Sequence, residues 1–399
     1  MSQAFEGIRI VDFSQVLAAP FAVMQLALLG AEVIKVEHPV VGDQTRSLMN
    51  TGADHGMAPS FLGMNLNKKS ITVNLKSSDG VAIIKKMIES ADVVVENFKA
   101  GTMEQLGLGY DVMAEWKPDL IFCSVTGYGQ TGPRAGEAAY DGAIQAASGM
   151  MSQNGHTSTG PTRTGYMPVD MATALNTAFA ISAALYRKLS TGLGQRIDVA
   201  MLDTAVVMQA AQFSNYINQG NLVGLLGNAS PTRQPTANVF ETSDGSIQVT
   251  AIRQQQVETL FKAIGEAARL TEPDFATPAA RIENHIDVHT AVAQAMLKKT
   301  TKQWITTLAS QGIPVAEIKS VPEVSKDKSL HQRGVFTTHD SPLDDGESFT
   351  VVKAGYLLDQ DGPQVRSVAP LLGQHTEQIL ISLGFDREVI QRFKATGVC

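Results

Sequence analysis

Three glycines in 126-TGYGQTGP-133 hold the G-x-G-x-x-G spacing of a dinucleotide loop, directly after the strand-like run 120-LIFCSV-125. That chemistry needs the third glycine to open a helix whose N–H groups hold a pyrophosphate. Here Gly132 leads into 133-PRAGEAAYDG-142, which reads as loop, so nicotinamide or flavin chemistry is not implied. The nucleophile elbow G-x-S-x-G is absent, since 146-AASGM-150 has the wrong frame. The eight histidines are read as offering no metal-ligand spacing, and none lies close to a cysteine. Carboxylate chemistry remains.

Asp170 stands out in 165-GYMPVDMATALNTAF-179, just before an Ala-rich helix that runs to about Leu189 and stops at 192-GLG-194. By spacing alone its simplest role is an N-cap. A carboxylate there also feels the positive end of the helix dipole, is expected to stay ionised, and is then fit to act as a covalent nucleophile. Other residues have plain readings too: Tyr140 as a half-buried aromatic, Asp141 as a turn residue, Asn97 and Phe98 as punctuation at a strand end. Lys68, Lys69 and Lys76 read as solvated charges around an edge strand.

These residues need a scaffold, and the sequence supplies an alternating one. Residues 8–13 and 32–37 read as strands around the helix 20-PFAVMQLALLG-30, with Pro at its start and Gly at its end. The pattern recurs in 70-SITVNLK-76, a helix over 79–90 and the strand 92–96, and again in a helix near 110–116 and the strand 120–125. Such alternation predicts an α/β fold with a parallel sheet and helices on both faces. A long helix over 201–219 leads into the Gly-, Asn- and Pro-rich stretch 220–238. A hairpin turning at Asp244-Gly245 and helices near 254–265 and 289–309 complete a smaller unit. The tail from about 335 mixes strands with a helix over 375–384.

The chain has 399 residues, 44% hydrophobic and 18% charged, enough for two or three domains with ample core. A net charge of −7 argues against nucleic acid or an anionic membrane surface as the main partner. With only Cys123 and Cys399 there is no disulfide framework. No signal peptide is read at the N-terminus, and 171-MATALNTAFAISAALY-186 is too short and too often interrupted to span a bilayer. A cytoplasmic protein is the expectation.

Taken in order, 7-GIRIVDFSQVLAAP-20, 29-LGAEVIKVEHPVVGDQTR-46, 66-LNKKSITVNLKSSDG-80, 95-VENFKAGTMEQLGLGYD-111, 124-SVTGYGQTGP-133, 140-YDGAIQAASGMM-151, 191-TGLGQRIDVAMLD-203, 312-GIPVAEI-318 and 370-PLLGQHTEQIL-380 resemble the family III CoA-transferases. That group includes formyl-CoA transferase, carnitine CoA-transferase and α-methylacyl-CoA racemase. The resemblance covers nearly the whole chain. It implies a large Rossmann-like CoA-binding domain over 1–220, a small α+β domain over 221–330, and a C-terminal segment, 331–399, returning to the large domain. It further implies an open-ring subunit in an interlocked homodimer, the stretches 220–238 and 322–335 carrying the chain out and back.

The resemblance places the acyl-accepting aspartate at Asp170. It places CoA contacts at Leu17 and Ala18, at His38, along Val73, Asn74, Leu75 and Lys76, at Asn97 and Phe98, at Gln105, and at Tyr140. Two departures are visible: Gln105 stands where many members have Arg, and Leu17 where formyl-CoA transferases carry Gln, which argues against formyl-CoA and oxalate. The implied reaction moves CoA from an acyl-CoA to a free carboxylic acid through an aspartyl-CoA thioester. No permanently bound metal or redox cofactor is involved, and coenzyme A is part of the substrate. Two other readings stand beside it: racemisation at the α-carbon of an acyl-CoA, and non-catalytic CoA binding. The racemase branch has a histidine where this chain has Tyr140.

Overall fold

The computed structural model describes residues 3–48, 57–343 and 346–399. The chain divides into two compact units. The first comprises Met1–Ser148, Thr164–Ala210 and Lys328–Cys399. Its centre is a six-stranded sheet of β1 (Arg9–Asp12), β2 (Glu32–Glu37), β3 (Lys68–Thr72), β4 (Val93–Glu96), β5 (Ile121–Thr126) and β6 (Gln195–Ala200), in the order β3-β2-β1-β4-β5-β6. Every pairing is parallel. Parallel strands need crossovers, and the helices Ala18–Leu28, Ser78–Ile88, Tyr110–Trp116 and Pro168–Thr191 supply them.

Because helices cover both faces, the inner strands read as unbroken apolar runs such as 93-VVV-95, fully buried. One core layer packs Ile83, Ile84, Met87 and Ile88 of the helix Ser78–Ile88 against Val11, Ile71 and Phe122, and Ile379, Leu380, Ile390 and Phe393 from the tail join it. The opposite layer packs Val23 and Leu26 with Ile181, Ala184 and Leu185 of the long helix. The order of the strands reverses between β1 and β4, where a crevice opens at their carboxyl ends.

The second unit comprises Gly149–Arg163 and Ala211–Asp327. It holds an antiparallel sheet of β7 (Ala237–Glu241), β8 (Ser246–Thr250) and β9 (Val315–Glu317). Its own core contains Phe240, Ile247, Val257, Phe261, Val292 and Trp304. The hairpin turns as expected at 242–245, where the Thr242 N–H donates to the Gly245 carbonyl.

Several local expectations need correction. The strand expected over 70–76 is β3, which ends at Thr72: the Val73 N–H makes a last bond to the Glu37 carbonyl at the end of β2, and Asn74 turns its N–H to the Val398 carbonyl. The helix expected over 201–219 is two, Met201–Met208 and Ala210–Gln219, parted at Gln209. The one expected over 289–309 is also two, His285–Met296 and Thr301–Ala309, the second opened by a Thr300 capping box. The tail carries one further helix, Arg387–Ala395. Among the described residues no helix is long and apolar enough to cross a membrane.

Candidate active site

A cavity of about 270 Å3 opens at the reversal point of the sheet. It is lined from three strand ends: Gln15, Val16, Leu17 and Ala18 after β1, Asn97, Phe98 and Lys99 after β4, and Val125 to Tyr128 at and after β5. Tyr140 and Asp170 complete it together with the segment 136–139.

Asp170 is the third residue of the helix Pro168–Thr191, not its cap. Pro168 takes the first position, where a missing N–H costs nothing, and Met167 precedes it without capping through its side chain. The capping group comes from elsewhere. Asp141, expected to be a turn residue, is buried at the start of the helix Asp141–Ala147. Its Oδ2 accepts the N–H groups of Val169 at 2.9 Å and Asp170 at 3.1 Å. Its Oδ1 accepts from Gln145 Nε2 at 2.5 Å.

The Asp170 carboxyl is therefore left free of this duty and faces the cavity. It does not stay fully ionised at neutral pH as expected: burial, and then the Asp141 charge, push its pKa up to about 7. The raised value has a chemical use, because a carboxylate of higher basicity is a stronger nucleophile once ionised. Nearby, burial pushes Glu96 up to about 7 as well, while its carboxyl accepts the Phe98 N–H at 2.8 Å and shapes the loop after β4.

Buried charges hold the loop after β1. Lys68, expected to be solvated, is fully buried and pairs with Asp12 at 2.8 Å while donating to the Pro20 carbonyl at 2.9 Å. Lys35 pairs with Asp43 at 2.9 Å and donates to the Ser14 carbonyl at 2.6 Å. Burial alone would raise Asp43, but the Lys35 ammonium holds it below the ordinary carboxylate value. Asp43 Oδ1 in turn accepts the Val16 N–H at 3.2 Å. Val16 sits at φ +70°, a left-handed conformation that strains a β-branched residue and persists only where its surroundings impose it. Asn97, which sequence alone makes strand-end punctuation, locks the same loop by accepting the Gln15 N–H at 2.8 Å and donating to the Gln15 carbonyl at 2.7 Å.

Of the residues singled out in the sequence, Leu17, Ala18, Asn97, Phe98, Tyr140 and Asp170 come together around this cavity. Tyr140 is exposed, at 67%, not half-buried. The remainder lie outside the lining. His38 follows β2, and its Nδ1 accepts the Val40 N–H at 3.2 Å. Val73, Asn74, Leu75 and Lys76 follow β3, with the Asn74 N–H on the Val398 carbonyl and Lys76 exposed. Gln105 is exposed at the end of the short helix Thr102–Gln105. Lys99, Gln44, Tyr128, Glu137 and Met201 line the cavity without having been singled out. Lys99 follows Asn97 and Phe98 directly, so extending that segment by one residue would have found it.

The histidines also need correction. His285 and His289 stand four apart in 285-HIDVH-289, a spacing that puts both on one helix face. They line a groove of the second unit with Arg233. Among the described residues no group of three or more His, Cys, Asp or Glu is placed to hold a metal ion.

A cavity at the sheet reversal, lined by a carboxyl on the N-terminal turn of a helix, marks an α/β enzyme fold with its candidate site at the switch point. The chain belongs to CoA-transferase family III, whose profile it matches over residues 5–376. It is 33% identical to succinate–glutarate CoA-transferase of Agrobacterium fabrum over 97% of this chain and 96% of that one. To succinyl-CoA:glutarate CoA-transferase of Mus musculus it is 34% identical, over 98% and 89%. To formyl-CoA:oxalate CoA-transferase of Rhodopseudomonas palustris it is 33% identical, over 100% and 97%. Among solved structures, a CAIB/BAIF family protein from Brucella suis superposes with a TM-score of 0.84 at 30% identity, covering 96% of this chain and 100% of that one. The chain is a CoA-transferase.

Proposed function

We propose that Asp170 carries the transferred CoA as an aspartyl thioester. The single observation behind this is its free carboxyl in the cavity at the sheet reversal, with the capping duty of its helix taken by Asp141. The Asp170 carboxylate attacks the thioester carbonyl of the donor, forming a mixed anhydride and expelling CoA thiolate. The thiolate attacks the aspartyl carbonyl of that anhydride, expelling the donor acid as its carboxylate. The acceptor carboxylate then attacks the aspartyl thioester, and the returning thiolate takes the acceptor acyl group and frees Asp170. Positioning and stabilisation of the oxyanions provide the rate.

CoA is held along Leu17, Ala18, Asn97, Phe98 and Tyr140 and extends towards His38, the segment Val73–Lys76 and Gln105, with Lys76 as the phosphate-facing cation. It belongs to the first unit, in place of the large domain expected over 1–220 and 331–399, since 149–163 and 211–220 fall in the second unit rather than with the CoA-binding part. Leu17 disfavours formyl-CoA and oxalate. The subunit acts as an interlocked homodimer, which accords with the apolar stripe Leu175, Phe179, Tyr186 and Leu189, each more than half exposed on one face of the long helix.

Incubation with acyl-CoA without acceptor should leave CoA on the peptide containing Asp170, convertible by hydroxylamine to a hydroxamate of known mass. Asp170→Asn keeps the shape and removes the charge; a loss in rate below about tenfold, roughly 1.4 kcal/mol, would rule out the covalent role. Racemisation needs two proton-transferring groups flanking the α-carbon, and this chain has Tyr140 where the racemase branch has a histidine. Rapid α-deuteration in D2O with no adduct would favour the racemase instead, and CoA binding with neither would leave a CoA-binding protein.

A further inference from the structure

We propose that Gln145 is the positioning residue of the site: one buried carboxamide sets both Asp141 and the chain segment that delivers Asp170. Gln145 is 1% exposed, one turn along the helix Asp141–Ala147 from Asp141. Its Nε2 donates to Asp141 Oδ1 at 2.5 Å, and its Oε1 accepts the Thr164 N–H at 3.1 Å. Thr164 lies six residues before Asp170, on the segment that enters the long helix.

The arrangement is a closed set of contacts. With Oδ1 taken by Gln145, Asp141 turns Oδ2 to the Val169 and Asp170 N–H groups. The same amide pins the incoming strand of that turn through Thr164. A buried amide with both ends satisfied specifies one rotamer, and losing it leaves Asp141 short of a donor and free to rotate. Gln145 does not line the cavity, so it acts only through Asp141 and Thr164. The inference rests on Asp170 being the working group, but not on the transferase chemistry.

The test therefore reads Asp170 without substrate. Carbodiimide-driven amine coupling labels protonated carboxyls, and peptide mass follows its extent at Asp170 against pH. Lys99, Glu137, Tyr128 and Tyr140 are the other ionisable groups around the cavity, and Asp141 faces Asp170 from the neighbouring helix. Gln145→Leu removes the donor and the acceptor. The labelling midpoint of Asp170 should move by about one pH unit, the worth of one hydrogen bond to a charged group. In turnover, kcat should fall at least about tenfold while the KM for acyl-CoA changes less than about threefold, since no contact to substrate is lost. Gln145→Glu fills the same space. Protonated, it donates to Asp141 and still accepts from Thr164; ionised, it repels Asp141. Its labelling profile should follow the wild type at acidic pH and depart from it as pH rises. Wild-type profiles in both variants, with thermal unfolding unchanged, would overturn the proposal. If the leucine variant does not fold, the glutamate variant decides alone. A shifted midpoint without any CoA adduct would uphold Gln145 while sinking the covalent mechanism.

Discussion

The carboxylate of Asp141 accepts the backbone N–H of Asp170 at 3.1 Å while its charge opposes ionisation of the Asp170 side chain. One residue thereby fixes where the candidate nucleophile stands and makes it more basic. The two effects have separate readouts, in rate and in stability.

Adduct formation should follow the ionisation of Asp170. With a pKa of about 7, the rate in a single turnover should rise about tenfold from pH 6 to pH 8 and level off above. Glu96 titrates in the same range, so the control is Glu96→Gln, which should leave the midpoint in place. A rate that is flat from pH 5 to 8 would contradict the assignment.

Stability should run the other way. The folded value of about 7 lies above the ordinary 3.8, so the native state holds the proton more tightly than the unfolded chain. This group's stabilising contribution is complete below about pH 4 and is lost as pH rises through about 7. Asp170→Asn should therefore be more stable than the wild type at pH 8 by about 1–2 kcal/mol in urea unfolding, solvent in the cavity screening the rest. A destabilised variant would mean that the carboxylate is structurally favourable where it sits.

The pair Lys68–Asp12 is fully buried at 2.8 Å. Lys68→Ala leaves Asp12 without its counter-ion and should cost about 3–5 kcal/mol, read as a lower denaturation midpoint. The loop after β1 should loosen with it, since Lys68 also holds the Pro20 carbonyl; a raised KM for acyl-CoA in the folded fraction would register that.

Light scattering of the wild type should give twice the 42.6 kDa chain mass down to low concentration. Phe179→Asp with Leu189→Asp, both on the exposed stripe, should shift it towards one chain. An active wild-type species at one chain mass would exclude the interlocked dimer.

The strands and helices of the sheet were legible because local pattern and tertiary demand agree there. The apolar run 93-VVV-95 can only be a doubly covered strand, and Pro168 and Gly192 bracket the long helix by their backbone preferences. The parallel order β3-β2-β1-β4-β5-β6 was not legible, because periodicity says nothing about which strands are neighbours. Charges were misread for a related reason. Lys68 looks solvated until Asp12, 56 residues earlier, is brought beside it. Asp170 reads as a cap because no sequence rule shows that Asp141, 29 positions before it, has already taken that role.

The first unit is assembled from three pieces of chain, and its core needs Ile379, Leu380, Ile390 and Phe393 from the last of them. During synthesis, at about 5–20 residues per second, the ribosome takes roughly 10–40 s to travel from the end of the second piece to the last of these side chains. For that interval one layer of the parallel sheet has the helix Ser78–Ile88 but lacks the part of its cover that the tail supplies. The second unit, nearly continuous in sequence, emerges in between and has its own core. A nascent chain of this protein therefore carries a folded small unit and a large unit whose apolar layer is only partly covered, which makes it a client for chaperones that bind exposed hydrophobic surface, and makes its yield sensitive to the speed of translation.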